Sequence, residues 1–164
     1  YSFGFSYELL IALGIISLLI IITVSDLNYL IIPDEVLVFF SFYFLIVQFL
    51  SSGFLGAVHH LFTGIFLFLL MYVIMWCGEK LLKKESLGGG DVKMMFLFGL
   101  VLDPLLGTIA IFLGSVFALP MSLFLLYKNH EKVIPFGPFL LIALTFLYFT
   151  KITPSVIISW LQIP

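Results

Sequence analysis

The chain consists of long apolar runs separated by short polar segments. Runs of Leu, Ile and Phe lack the polar alternation of a membrane barrel, and a backbone in hydrocarbon must satisfy its own hydrogen bonds. A helix needs roughly 20 apolar residues to cross a bilayer. The pattern therefore predicts an all-α, polytopic membrane protein with a single transmembrane domain over residues 1–164. We expect about six transmembrane helices, at 9–25, 36–50, 55–77, 91–102, 105–127 and 134–150.

Two parts of this pattern are irregular. The fourth run is short and is opened by Gly88, Gly89, Gly90 and Asp91. Its first turn is predicted to be a loop or a broken helix, which membranes tolerate only where the backbone lies inside protein or beside water. Residues 155–164 are too few to span, so they are predicted to form an interfacial tail.

The composition supports a membrane protein and excludes other classes. Hydrophobic residues make up 63% of the 164 residues, charged residues 10%, and the mean hydropathy is +1.28. A soluble domain carries about 25% charged residues, so this chain has too little polar surface to be one. The net charge of −2 and the lack of Arg argue against a nucleic-acid partner. A single cysteine, Cys77, excludes a disulfide framework and a Cys-rich zinc site.

The lysines predict how the chain is oriented. Six of the seven lie near two loops, those between spans three and four and between spans five and six: Lys80, Lys83, Lys84, Lys93, Lys128 and Lys132. Positively charged loops face the cytoplasm, although the same lysines would also suit anionic lipid. The loop at 26–35 then faces the cytoplasm as well, and Tyr1 lies outside. We expect from this that the chain follows an earlier span or belongs to a longer protein.

Two carboxylates are the main candidates for chemistry. Asp26 closes the first predicted span and Asp91 opens the fourth, so both are expected at the cytoplasmic membrane face. Carboxylates in apolar spans are costly and are functional candidates by default. Two of them in a dry site cannot both ionise cheaply, so one stays protonated while the other acts as a base. Peptide hydrolysis by an Asp pair needs this division, because one group activates water and the other polarises the scissile carbonyl.

Structural roles are the alternative for the same residues. Asp91 after glycines would also suit a helix N-cap, and Asp26 an interfacial helix end. Asp34 and Glu35 follow Pro33 and are typical of a first helical turn. For the glycine run, the functional alternative is that it gives a substrate access to the site. A backbone without side chains can come close to an extended peptide and pair with it.

Two other functions use the same carboxylates differently. In a small proton- or cation-coupled transporter they would carry ions, but this predicts carboxylates nearer the bilayer middle, repeated helices and a polar path. The sequence shows no internal repeat. In a noncatalytic membrane scaffold neither Asp26 nor Asp91 would be needed.

Three segments of the chain form a recognisable set. The first runs from Ser25 to Asp34, the second is Gly88-Gly89-Gly90-Asp91-Val92-Lys93, and the third is Pro135-Phe136-Gly137-Pro138-Phe139. Together they resemble the bacterial type IV prepilin peptidases, membrane aspartic proteases of the GxGD class. They occur in family order and with similar spacing. A lone GxGD is weak, whereas all three in a chain of six predicted spans are a specific signal.

The resemblance implies roles for residues in each segment. Asp26 and Asp91 would be the catalytic pair, with Gly88 and Gly90 completing the GxGD motif. The supporting or substrate-binding residues would be Gly89, Asp34, Lys93, Pro135, Gly137 and Pro138. No metal and no organic cofactor is expected.

The resemblance also implies partners and a location. The substrates would be prepilins and pseudopilins, whose short basic leader precedes a hydrophobic helix, and the enzyme would lie among the lipids of the bacterial inner membrane. Many members carry an N-terminal region with paired CxxC motifs for zinc and a methyltransferase activity. This chain has neither the CxxC motifs nor that N-terminal region, so it corresponds to the peptidase half. The archaeal preflagellin peptidases share the two-Asp chemistry, but the third segment favours the bacterial branch.

Overall fold

The computed structural model describes residues 6–83, 87–127, 135–154 and 159, and within them it is helical with no strand. The all-α prediction is confirmed. The helices in chain order are α1 (Tyr7–Tyr29), α2 (Asp34–Leu82), α3 (Gly89–Val101), α4 (Pro104–Tyr127) and α5 (Gly137–Phe149).

Three of these helices are long and apolar enough to cross a membrane. They are α1, α2 and the part of α4 from Pro104 to Phe124, whereas α5 is a shorter apolar helix. Large apolar side chains such as Phe39, Phe42 and Leu55 are more than 60% exposed, as expected where lipid covers the surface. The chain is therefore described as a membrane protein, and the count of six spans stays a prediction.

Helix α2 contains a sharp break at Gly53. At this residue φ is 70° and ψ is −171°, a conformation that suits glycine far better than residues with a Cβ. We call residues 34–52 the first arm and residues 54–82 the second arm. Phe42 and Leu61 line the same groove as Phe49 and Phe54, so the arms lie side by side and run antiparallel. The sequence predicts two spans joined by a loop here, and the structure joins the two arms through one non-helical residue.

Helix α3 forms the centre of the bundle. Its side chains Met94, Met95 and Phe98 are fully buried, and it packs mainly against α2. The two helices touch at Gly64 and Gly99, where a Cβ on Gly99 would lie 2.3 Å from the Gly64 nitrogen. Small residues allow such close backbone contact between membrane helices. Helix α5 packs against α4 and α1 and closes the bundle.

The structure corrects three details of the predicted elements. Helix α1 continues to Tyr29, so Asp26 belongs to its last turn and does not lie beyond its end. The start of α3 is neither a loop nor a broken helix, because Gly88 is the N-cap and regular helix begins at Gly89. Helix α5 begins at Gly137 rather than at 134, which itself lies outside the described residues. The predicted tail at 155–164 is also outside them except for residue 159.

Candidate functional site

Four helix ends meet at one end of the bundle. The last turns of α1 and the first turns of α2, α3 and α5 place Asp26, Asp34, Asp91 and Gly137 there. Between them lies a cavity of about 550 Å³, which we call the Asp cavity. Its lining consists of the two buried carboxylates, the glycine run, the α1–α2 linker and a charged rim: Asp26, Asp91, Gly88, Gly89, Gly90, Leu30, Ile31, Ile32, Pro33, Asp34, Glu35 and Lys93.

Asp26 is held in this cavity by a distant part of the chain. Its side chain is buried, with only 6% of the residue exposed. The backbone N–H of Gly137 donates a hydrogen bond to Asp26 Oδ2 over 3.2 Å. A Cβ on Gly137 would lie 3.0 Å from the same oxygen, so glycine is what lets the amide approach the carboxyl group. Asp26 lies in the last turn of α1, but its burial argues against a plain, exposed interfacial residue.

Asp91 lies in the first turn of α3, and its side chain is buried. The residue is 7% exposed, and its Oδ1 is buried without a hydrogen-bond partner among the residues that the structure describes. Asp26 and Asp91 line the same cavity. Buried polar atoms almost always have a partner, so this oxygen is available to water or a ligand. The N-cap alternative for Asp91 is wrong, because Gly88 occupies that position.

The glycine run is required for steric reasons at two of its three positions. A Cβ on Gly88 would lie 3.0 Å from Asp91 Oδ2, and one on Gly90 would lie 2.7 Å from the Cβ of Ile32. A Cβ on Gly89 would meet nothing within 4 Å. Only Gly88 is extended, with φ −68° and ψ 136°, so the expected pairing of the whole run with an extended peptide is limited to this residue.

The rim of the Asp cavity carries an ion pair that the sequence did not predict. Lys93 Nζ lies 2.8 Å from Oδ1 and 2.7 Å from Oδ2 of Asp34. The two side chains are 53% and 61% exposed, so the pair is at the surface. Asp34 is the first residue of α2, as its position after Pro33 predicts. The sequence placed both residues in motifs but gave no signal that they touch.

The linker between α1 and α2 lies within the first motif, but the sequence indicates no role for its Leu30, Ile31 and Ile32. Leu30 ends α1 in the left-handed region, with φ 54°, and the Ser25 hydroxyl donates to the Ile31 carbonyl over 2.7 Å. Ile32 then packs against the positions of both Gly90 and Gly137. An isoleucine in an apolar run carries no signal of such a role.

The third sequence motif supplies the beginning of α5. Pro138 is buried in its first turn, where a proline costs no helical hydrogen bond. Pro135 is half-buried and lies two residues before the helix. The motif therefore directs the free Gly137 amide at Asp26.

Comparison with known proteins gives the family. Residues 13–123 match the type IV leader peptidase family. A prepilin leader peptidase/N-methyltransferase of Bacillus subtilis (strain 168) is 36% identical over 106 residues, which cover 61% of this chain and 38% of that protein. Proteins of the same name from Aeromonas hydrophila and Legionella pneumophila are 29% and 28% identical, over 82% and 87% of this chain.

The chain spans half or less of the length of these relatives, between 38% and 50%. No solved structure matches it. The family match covers more than half of the chain and includes Asp26, the glycine run and Asp91, which together line the Asp cavity. On this evidence the chain belongs to the type IV leader peptidase family.

Proposed function

We propose that this chain is the peptidase part of a prepilin leader peptidase. It is a membrane aspartic endopeptidase that removes the short basic leader of prepilins and pseudopilins at the cytoplasmic face of the bacterial inner membrane. Family membership supports the substrate class, since the relatives are named prepilin leader peptidases. The observation that carries the chemistry is that Asp26 and Asp91, both buried, line one cavity.

The environments of the two carboxyl groups suggest different roles. Asp26 accepts the backbone N–H of Gly137, and such a bond stabilises a carboxylate in its ionised form. The Asp91 carboxyl group also has a backbone hydrogen bond, at Gly88, but its Oδ1 has no donor among the described residues. Because both carboxyl groups line one buried cavity, an ionised Asp26 disfavours a second ionised group there. We therefore assign Asp26 as the base and Asp91 as the neutral acid of the resting enzyme.

In this mechanism Asp26 takes a proton from a water molecule, and the water oxygen adds to the scissile carbonyl carbon. Asp91 gives its proton to the carbonyl oxygen, which yields a neutral tetrahedral intermediate. The intermediate collapses as Asp26 returns its proton to the leaving nitrogen and Asp91 recovers one from a hydroxyl group. Leader and mature substrate are released with both carboxyl groups in their starting state.

The test is leader cleavage in membranes by Asp26→Asn and Asp91→Asn variants. Each variant keeps the size of the side chain but removes one proton-transfer group, so the rate should fall by roughly 10²- to 10⁴-fold. Asp103→Asn is the matched control, because Asp103 lies outside the Asp cavity, at the start of α4. If either of the first two variants inserts normally and cleaves at the control rate, the pair is not catalytic.

The position of the carboxylates disfavours the transporter hypothesis. That hypothesis expects carboxylates near the middle of the membrane, whereas Asp26 lies in the last two turns of α1 and Asp91 in the first turn of α3. Methyl transfer is not part of the proposal, since the chain has no CxxC motif and covers about half of its two-function relatives.

A further inference from the structure

A second cavity, of about 490 Å³, opens on the surface of the bundle between α1 and the first arm of α2. We call it the α1/α2 groove. Leu13, Ser17 and Ile21 line it on α1. On α2 the lining residues are Glu35, Val36, Phe39, Phe40 and Tyr43. Its walls are almost entirely apolar, and Phe39 on its edge is 64% exposed. The groove is therefore suited to an apolar segment that arrives from the lipid.

The α1/α2 groove begins at the Asp cavity. Glu35 lines both of them. From Glu35 to Tyr43 the helix rises by about 12 Å, or a little over two turns. At the far end α1 and α2 come together, because the Gly14 position is in contact with the Tyr43 ring and the Tyr43 hydroxyl donates to the Leu10 carbonyl over 2.7 Å. An apolar segment that fills the groove would thus have one of its ends at the rim of the Asp cavity.

Charge distinguishes this groove from a second one. The α2/α3 groove, of about 410 Å³, also reaches the rim of the Asp cavity, but there Asp34 and Lys93 neutralise each other. Glu35, at the mouth of the α1/α2 groove, is exposed, and the structure gives it no ion-pair partner within its described residues. An exposed carboxylate beside an apolar groove suits a chain whose cationic segment directly precedes an apolar one.

We propose that the α1/α2 groove binds the apolar segment that follows the scissile bond of the substrate, with a cation of the leader at Glu35. This inference rests on the proposed function and adds where the substrate lies. The junction between basic and apolar residues is then held at the Asp cavity, so the position of the cut follows from the distance between the mouth of the groove and the Asp pair.

Cysteine cross-linking tests the location. In a Cys77→Ser background, Ser17→Cys places a thiol in the α1/α2 groove and Ser41→Cys places one in the α2/α3 groove. Each is combined with Asp91→Asn to retain the substrate, and the prepilin carries one cysteine at successive positions of its apolar segment. We expect cross-links from Ser17→Cys and at most a tenth of that yield from Ser41→Cys.

The outcomes separate this inference from the proposed function. Equal or higher yield at Ser41→Cys, or no cross-link at either position, overturns the groove assignment. Leader cleavage is measured in parallel in the Cys77→Ser protein with Asp91 intact. If neither that protein nor the unsubstituted chain cleaves the leader, with normal insertion of both, the result counts against the proposed function itself.

A kinetic measurement tests the part played by Glu35. Glu35→Gln should raise KM for a prepilin with a lysine-containing leader by about three- to tenfold and change kcat by less than twofold, because it removes an attraction made before the chemical step. The same variant should have no such effect on a prepilin whose leader lysines are replaced by Gln. An equal rise in KM for both substrates would overturn the contact between Glu35 and the leader.

Discussion

The Gly137 backbone N–H donates to Asp26 Oδ2 over 3.2 Å and joins residues that are 111 positions apart in the chain. This bond connects the start of α5 to the inner face of α1. It gives Asp26 a fixed donor. The Asp91 carboxyl group has a backbone hydrogen bond at Gly88, but its Oδ1 is buried without a partner within the described residues. The two carboxyl groups therefore differ in their hydrogen bonding.

Gly137→Ala should lower kcat by about 10- to 100-fold with little change in KM. The added Cβ would lie 3.0 Å from Asp26 Oδ2 and 3.2 Å from Ile32 Cδ1, so the carboxyl group must move, and misplacement of a catalytic group by about 1 Å can cost 10²-fold. Steady-state cleavage of a prepilin measures both constants. Gly89→Ala serves as the control, and a kcat for Gly137→Ala equal to the control's would show that the bond does not position Asp26.

The glycine run should tolerate alanine at only one position. Gly88→Ala and Gly90→Ala should reduce cleavage by 10-fold or more, because their methyl groups would meet Asp91 Oδ2 at 3.0 Å and Ile32 Cβ at 2.7 Å. Gly89→Ala meets nothing within 4 Å and should keep activity within about twofold. Cleavage by the three variants at equal membrane abundance is the measurement. Equal loss at all three would mean that backbone flexibility rather than space is what the run supplies.

The two carboxylates could be predicted from the sequence because a charge in an apolar run is expensive and therefore conspicuous. Alternation of helices then placed Asp26 and Asp91 at one end of the bundle, and the structure has both lining one cavity. The helical class followed in the same way from continuous apolar runs. These inferences need only the local pattern of apolar and charged residues and the alternating direction of successive helices, and both can be obtained from a sequence.

The parts that could not be predicted depend on contacts between distant residues. Every residue except proline has a backbone N–H group. Nothing in the sequence therefore marks the N–H of Gly137 as the partner of Asp26. Ile32 looks like any other apolar residue, although it packs on two of the site's glycines. The break in α2 at Gly53 was predicted as a loop, because one glycine between two apolar runs does not reveal how few residues the turn needs.

The ion pair on the rim should matter more for substrate binding than for stability. Asp34→Ala leaves Lys93 as an unpaired cation, which should repel a basic leader and raise KM about two- to fivefold at low salt. Asp34→Ala combined with Lys93→Ala should return KM to within about twofold of the original, since both charges are gone. Because more than half of each side chain is exposed, their coupling in unfolding should stay below about 1 kcal/mol. A double variant no better than Asp34→Ala would contradict this account.

The membrane orientation predicted from the lysines can be tested with single cysteines in a Cys77→Ser background. Lys80→Cys lies near the end of α2 on the side of the Asp cavity, and Asp103→Cys lies between α3 and α4 at the other end of the bundle. A membrane-impermeant thiol reagent applied to intact cells should label Asp103→Cys and leave Lys80→Cys unlabelled until the membrane is opened. The reverse labelling would place the Asp cavity outside and exclude cleavage at the cytoplasmic face.

The contact between α2 and α3 should depend on Gly99. A methyl group there would lie 2.3 Å from the Gly64 nitrogen and 2.5 Å from the Thr63 carbonyl carbon, both of them backbone atoms that no side-chain movement can clear. Gly99→Ala should therefore push α3 away from α2 and cost about 1–3 kcal/mol of folding free energy, as overpacking of a close contact does. Thermal unfolding of the purified protein in detergent measures the loss, with Gly89→Ala on the same helix as the control. Because α3 also carries Asp91, Gly99→Ala should lose its cleavage activity at a lower temperature than Gly89→Ala. Identical unfolding curves for the two variants would show that α2 and α3 do not need the close contact at Gly99.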